Sequence, residues 1–454
     1  MRRRCAVILF ATALAGCGPT RDDRATWIRD TLLAADAPYL SRDPELVAEK
    51  YRRMAADPYQ WMRGNGPVFA ADLARPGARP ATSFVTDADE AAVLIFGDAH
   101  PENLGTVLAD DPPRDLSDPA PLLGVEIVDL DAAQLGPPIT DLRRAVVGLG
   151  VLADGLGASD DAIDEAVQAF ALGYADTLAP PTAAPLMFDA PITDALRRDA
   201  LTEGYARERL HAWSADGRLR VVDALVAGDG LLALTPPERD QVDRLLDAYR
   251  AYAPSGFRVL DAARRYGAGI GSLPAIRYVV LWDRGEAGDA DDDLLQVREI
   301  VDPTALRALD RPQAPFASNA ERVAFATRTL SATADPRAAT LEDGGQSFKV
   351  TSASSWFRGL ARNDVPLDQL TAFSREFGAL IANGHARSVY ADGAAAGPDL
   401  RAALTGRRDD LAAELVSAVH TDLPATLDDA AAFAGLVEAE GALLGFDTIP
   451  RDVW

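Results

Sequence analysis

The stretch Phe96-Gly97-Asp98-Ala99-His100-Pro101-Glu102-Asn103-Leu104-Gly105 decides how the rest of the chain is read. It closes a short apolar run from Ala91 whose length and composition predict a buried strand entering a loop. A carboxylate directly after such a strand, with an asparagine five residues on, places a basic oxygen and an uncharged oxygen on one tight turn. Beyond it a second apolar run, LLGVEIVDLD from Leu122, ends in Asp129-Leu130-Asp131. Two strand-ended carboxylates and an asparagine carbonyl are hard oxygen ligands suited to Mg2+, which takes few protein ligands and shares phosphate oxygens. The plainer reading is structural, because Asp at a strand end often caps a helix.

Working outward, Pro44 to Met54 has helical spacing and Asp57-Pro58 stops it. Thr20 to about Pro44 reads as a polar tether and a first helix. Between Thr140 and Leu246, periodic apolar residues and frequent alanine predict helices. Tyr278 to Trp282 and Leu294 to Val297 predict two strands joined by an acidic turn, Asp283 to Asp293. That turn lacks the spaced ligands of a calcium loop and reads as a solvated hairpin tip. Asn319 to Leu330 and most of Leu367 to Leu444 are again helical, and SFKV around Lys349 is strand-like. The sum is an α+β chain, mostly helical, with strands clustered in two places.

Composition narrows the function classes. The chain has 454 residues, 48% hydrophobic and 25% charged, with a formal net charge of −24. No Lys/Arg-rich stretch offsets that charge, so nucleic acid is excluded as a general partner. Two cysteines rule out a disulfide framework, and the only lysines are Lys50 and Lys349.

The N-terminus predicts export. Arg2, Arg3 and Arg4 precede an apolar segment, Ala6 to Ala13, too short to span a bilayer, and then Leu14-Ala15-Gly16-Cys17. LAGC resembles the bacterial lipoprotein signal, which implies cleavage after residue 16 and acylation of Cys17. Two or three acyl chains give stable membrane anchoring. Gly18 in place of an aspartate implies the outer membrane where the cell has one, and an extracytoplasmic location.

GDAHPENLG is similar to the catalytic loop H-G-D-x-H-x-x-N of the aminoglycoside phosphotransferase and choline kinase branch of the kinase-like superfamily. VDLDAAQLGPPITDL resembles that branch's I-D-W-x-x-A-x-x-G-D-P-x-x-D-L, with Gly136 and Asp141 at matching offsets from Asp129. The resemblance implies Asp98 as the base for an acceptor hydroxyl, with Asn103 and Asp129 as Mg2+ ligands on nucleotide phosphates. It makes Asp131 a second metal ligand and Asp141 a brace for the loop. His100 reads as a loop-stabilising hydrogen-bonder, since no second histidine lies at ligand spacing.

A resemblance to a bacterial family, the domain of unknown function 2252, covers more of the chain. It is carried in order by Asp57-Pro58-Tyr59-x-Trp61-x-Arg63-Gly64, FGDAHPENLG, the DLD segment with Arg143-Arg144, Gly269-Ile270-Gly271-Ser272-Leu273 with Arg277-Tyr278-Val279-Val280-Leu281, Leu295 to Glu299, and Gly384-His385-Ala386-Arg387-Ser388. Arg63 in the first block is read as a support for the catalytic loop. The Gly269 and Gly271 segment suits a loop whose backbone N–H groups approach phosphates, or a plain hairpin start. Followed by strands ending in a cation, it resembles a kinase small lobe placed after the catalytic loop, which implies a circularly permuted kinase-like fold. Residues 1–16 are then the signal, 17–44 the lipidated tether and first helix, 45–255 the catalytic-loop and helical lobe, 256–350 the small-lobe strands, and 351–454 a C-terminal helical region.

The chain departs from these patterns at the expected phosphate-binding lysine, which is Arg298, and at Pro274, Val128 and Ala132. Glu299 or Glu321 is expected to pair with Arg298, and Lys349 is the other candidate for the missing lysine. The implied function is Mg2+-dependent phosphotransfer from ATP or another nucleotide to a small-molecule or protein hydroxyl, with Gly269, Gly271, Ser272 and Arg298 on the phosphates. The alternatives are a pseudokinase-type binding module anchored at a membrane surface, and metal-assisted phosphoester hydrolysis.

Overall fold

The computed structural model describes residues 21–73, 92–108, 123–178, 190–201, 210–225, 228–285, 292–300, 316–333, 335–353 and 357–446. The segment read as an export signal and Cys17 lie outside these residues, as does most of the acidic turn after Asp283. The architecture is α+β and mostly helical. Among the described residues no helix is long and apolar enough to cross a membrane.

The largest core is built on helices Pro138–Gly155, Asp160–Thr177 and Leu370–Arg387. The first of these is apolar all round from Ala145 to Ala153 and carries the charged Asp141, Arg143 and Arg144 nearer its start, and every residue from Pro138 to Ala153 is buried. The strand Val93–Ile95 pairs with Gln134–Gly136, and Leu104–Leu108 with Leu123–Ile127, so two short antiparallel ladders carry both acidic loops against this core. The strand Leu104–Leu108, absent from the sequence reading, starts directly after the turn Pro101–Asn103.

A six-stranded antiparallel sheet runs in the spatial order Ala339–Asp343, Gln346–Ser352, Asp293–Glu299, Arg277–Asp283, Arg258–Tyr266, Gly230–Leu232. Arg277–Asp283 is buried at every position, which explains its unbroken YVVLW run in place of alternation. One face of the sheet packs on helix Pro236–Tyr249 through Tyr278, Val280, Trp282, Leu295, Val297 and Phe348. Alternation along the strands then sends Arg277, Gln296, Arg298 and Lys349 to the opposite face. Helix Asn319–Leu330 lies between the third and fourth strands of the run that begins at Arg258, its start capped by the Ser318 side chain.

The segment read as a polar tether followed by a first helix is helical from Arg21 to Arg42. Ile28 and Leu32 on that helix join Tyr51, Trp61 and Phe433 in a third cluster, so the first and last long helices pack together. Helix Arg408–Glu440 is also tied to Pro138–Gly155 by the buried Arg143–Asp422 pair at 2.7 Å.

Candidate functional site

The Asp98 loop is held from beneath. Gly97 adopts φ +82°, and a Cβ there would collide with the Ala132 carbonyl. Glycine therefore both turns the chain and lets the two acidic loops touch. Asp141, fully buried in the first turn of its helix, accepts from the Phe96 and Gly97 amides at 2.7 and 2.8 Å. Its Oδ2 also lies 3.0 Å from His385 Nε2, and His385 Nδ1 lies 2.9 Å from the Tyr174 hydroxyl. A proton on Nε2 donates to Asp141 and leaves Nδ1 to accept from Tyr174. Ser388 donates to the Leu94 carbonyl, so the Gly384 to Ser388 block locks both the strand and the loop that follows it. Arg63 reaches the loop from helix Pro58–Gly64, with Nη1 2.8 Å from Glu102.

Asp98 lies at the open side of this support, its side chain 28% exposed. Its Oδ1 accepts from Arg144 Nε at 2.9 Å. Arg144 is buried and also donates to Asn65 and to the Met62 carbonyl, so the carboxylate is oriented by a fixed guanidinium. Arg144 stands one helical turn after Asp141, the spacing that puts both on one helix face toward the loop. His100 Nε2 is 3.7 Å from Asp98 Oδ2. Burial pushes its pKa down to about 4, against the pull of Asp98, so the ring is neutral at pH 7. Asn103 donates its Nδ2 to the Asp98 carbonyl at 2.7 Å, while its backbone carbonyl accepts from Val128 N.

Across the cavity, Arg298 Nη2 lies 2.7 Å from Asp129 Oδ1 and 2.5 Å from Asp131 Oδ2. Lys349 sits opposite Arg298 in the strand register, and its Nζ is 2.6 Å from Asp131 and 3.3 Å from Asp129. Burial alone would raise the Asp129 pKa, but Arg298 and Lys349 outweigh it and hold the carboxyl well below its ordinary value. The expected partners of Arg298 are used elsewhere. Glu299 binds Arg42 at 2.8 Å and the Ile276 amide, and Glu321 turns back to the Ala317 amide at the start of its own helix. Neighbouring strand positions alternate faces, which sends Glu299 away from the side that Arg298 occupies.

Asp98, Asn103, Asp129, Asp131, Gly269, Gly271, Ser272 and Arg298 all line one cavity of about 840 Å3, with His100 and Arg63 also at its wall. Asp141 lies behind the loop. Sequence reasoning gave no role to Arg144, Arg277, His385 or Glu126; Arg277 and Glu126 line the cavity, and Arg144 reaches it only through its hydrogen bond to Asp98. Glu126 is buried at the cavity wall and accepts from the Ala332 and Thr333 amides at 3.1 and 2.9 Å. Burial raises its pKa to about 7, partly offset by Arg387.

The donor set suits Mg2+ in kind. Asp129 and Asp131 offer carboxylate oxygens, and Asn103, its nitrogen spent on Asp98, offers a carbonyl oxygen. Among the described residues no group of three His, Cys, Asp or Glu side chains could hold a metal. An ion here would rely on two carboxylates, the amide and ligand oxygens. No curated protein and no solved structure matches the chain. A family described as an uncharacterized protein conserved in bacteria, DUF2252, matches residues 42–434, a span that contains every residue of the cavity wall except Ala35 and Asp36.

Proposed function

This chain belongs to the DUF2252 family, and we propose that it is a kinase-like phosphotransferase that uses Mg2+ and a nucleotide to phosphorylate a hydroxyl acceptor. The observation that carries this reading is the convergence of Asp98, Asn103 and Asp129 with Arg298 at one cavity. The sheet supports it. A glycine turn joins Arg258–Tyr266 to Arg277–Asp283, the next strand carries Arg298, and helix Asn319–Leu330 precedes two final strands. That is the order of parts in a kinase small lobe, here placed after the catalytic loop and so permuted.

In this reading Asp98 takes the acceptor's proton as the acceptor oxygen forms its bond to phosphorus and the bond from phosphorus to the leaving phosphate oxygen breaks. Arg144 keeps Asp98 aimed, and Asp141 with His385 keeps the turn rigid. Asn103, Asp129 and Asp131 would hold Mg2+, which when bound offsets charge on the phosphate oxygens. Arg298 and Lys349 would then pass from these carboxylates to phosphate oxygens. A second reading, ligand binding without turnover, is favoured by one observation: both cations are already satisfied by Asp129 and Asp131.

Turnover separates the two. Asp98→Asn is expected to keep nucleotide affinity within about twofold and to lower nucleotide consumption at least about 100-fold, measured as phosphate or nucleoside diphosphate release. Equal release by the wild type and the variant would remove Asp98 as the base.

A further inference from the structure

Arg277 is a buried guanidinium, 5% exposed, at the wall of the cavity. Among the described residues it pairs with no carboxylate: Nη2 donates to Ser272 Oγ at 2.6 Å and Nε has no partner. Its surroundings are cationic instead. It faces Arg298 in the strand register, Arg298 faces Lys349, and Arg265 lies close enough to repel it. Burial first, and Arg298 and Arg265 second, hold its pKa well below the ordinary arginine value, against the pull of Asp129 and Asp131. The nearby carboxylates are committed, Asp129 and Asp131 to Arg298 and Lys349, Asp229 to Arg265. A guanidinium desolvated in this way is strongly unfavourable unless an anion joins it.

The adjoining turn is shaped for that anion. Gly269 adopts φ +77°, and a Cβ there would stand 3.1 Å from Arg277 Nη2, so the bare backbone leaves space beside the fork. Ser272 spends a lone pair on Arg277 and keeps its hydroxyl proton to donate.

We propose that Arg277 and Ser272 form an oxyanion subsite that takes a phosphoryl group of an oligophosphate ligand, the ligand supplying the counter-charge the protein withholds. Arg298 and Lys349 continue the row at strand spacings of about 4.8 Å, so linked phosphates can be bound along it. This deepens the phosphotransfer reading by naming the group that receives the donor's phosphates, but it requires neither Mg2+ nor turnover.

The test uses the full chain and inorganic tripolyphosphate without Mg2+, with a nucleoside triphosphate in parallel, by calorimetry and thermal unfolding. Tripolyphosphate is expected to bind and to raise the wild-type unfolding midpoint. Arg277→Met is expected to unfold, without ligand, at or above the wild-type midpoint, because an uncompensated charge is gone, and to bind tripolyphosphate at least about tenfold more weakly. Arg277→Lys should keep part of the affinity. Absence of wild-type binding, affinity of Arg277→Met within twofold of wild type, or a lower unliganded midpoint for that variant would each overturn the subsite. Adding Mg2+ to the wild type distinguishes the two readings: a Mg2+-dependent gain in nucleotide binding belongs to the phosphotransfer reading, whereas tripolyphosphate binding without Mg2+, weakened in Arg277→Met, belongs to the subsite. Binding of nucleotide but not tripolyphosphate would place recognition in the nucleoside and also overturn the subsite.

Discussion

At the residue scale, two buried ionisable groups beside the cavity pull stability in opposite directions. His100 has a folded pKa near 4 against 6.5 for the free side chain, so the unfolded chain binds the extra proton and stability falls as pH drops from about 6.5 to 4. Glu126 has a folded pKa near 7 against 4.5, so its contribution is complete below 4.5 and is lost as pH rises through 7. His100→Asn is therefore expected to flatten the acid limb of the stability profile by about 3 kcal/mol, and Glu126→Gln to remove a loss of similar size between pH 4.5 and 7. Urea unfolding across pH 4 to 8 reads both. Parallel profiles for wild type and His100→Asn would mean that the imidazole is hydrated and not buried.

At the element scale, the same logic applies to the pair that ties the longest helix to the buried one. Arg143 donates to both oxygens of Asp422, and both side chains are nearly inaccessible. Asp422→Ala leaves a buried charge without a partner and is expected to cost about 3–5 kcal/mol, while Arg143→Met with Asp422→Ala recovers at least half of that. A single-variant cost below about 1 kcal/mol in denaturant unfolding would show that the helices are held by apolar packing alone. Elements with a strong local signature were legible in advance: YVVLW and LLQV as strands, Asn319–Leu330 as a helix between its cap and its end. The acidic loops were legible as well, because Gly-Asp after an apolar run is a local pattern. What could not be read was register. Nothing in SFKV or RYVVL says that Lys349 and Arg277 flank Arg298 on neighbouring strands, and nothing near Glu299 says that it points to Arg42. Those facts depend on which strands pair, which only the tertiary fold decides.

At the scale of the whole molecule, an acidic chain carries a cation row on the cavity face of its sheet. Both lysines are buried, Lys50 against Asp36 at 2.8 Å and Lys349 against Asp131, so neither serves as a solvated surface charge. The cavity lies where the sheet meets the two acidic loops, and its opposed charges are the means by which a ligand and a cation would be exchanged for internal ion pairs. That exchange is the central claim, and thermal unfolding with a nucleoside triphosphate, with and without Mg2+, tests it most directly. The account predicts that Mg2+ adds to the nucleotide's stabilisation of the wild type by several degrees and adds nothing in Asp129→Ala. A Mg2+-independent shift, identical in both proteins, would contradict it.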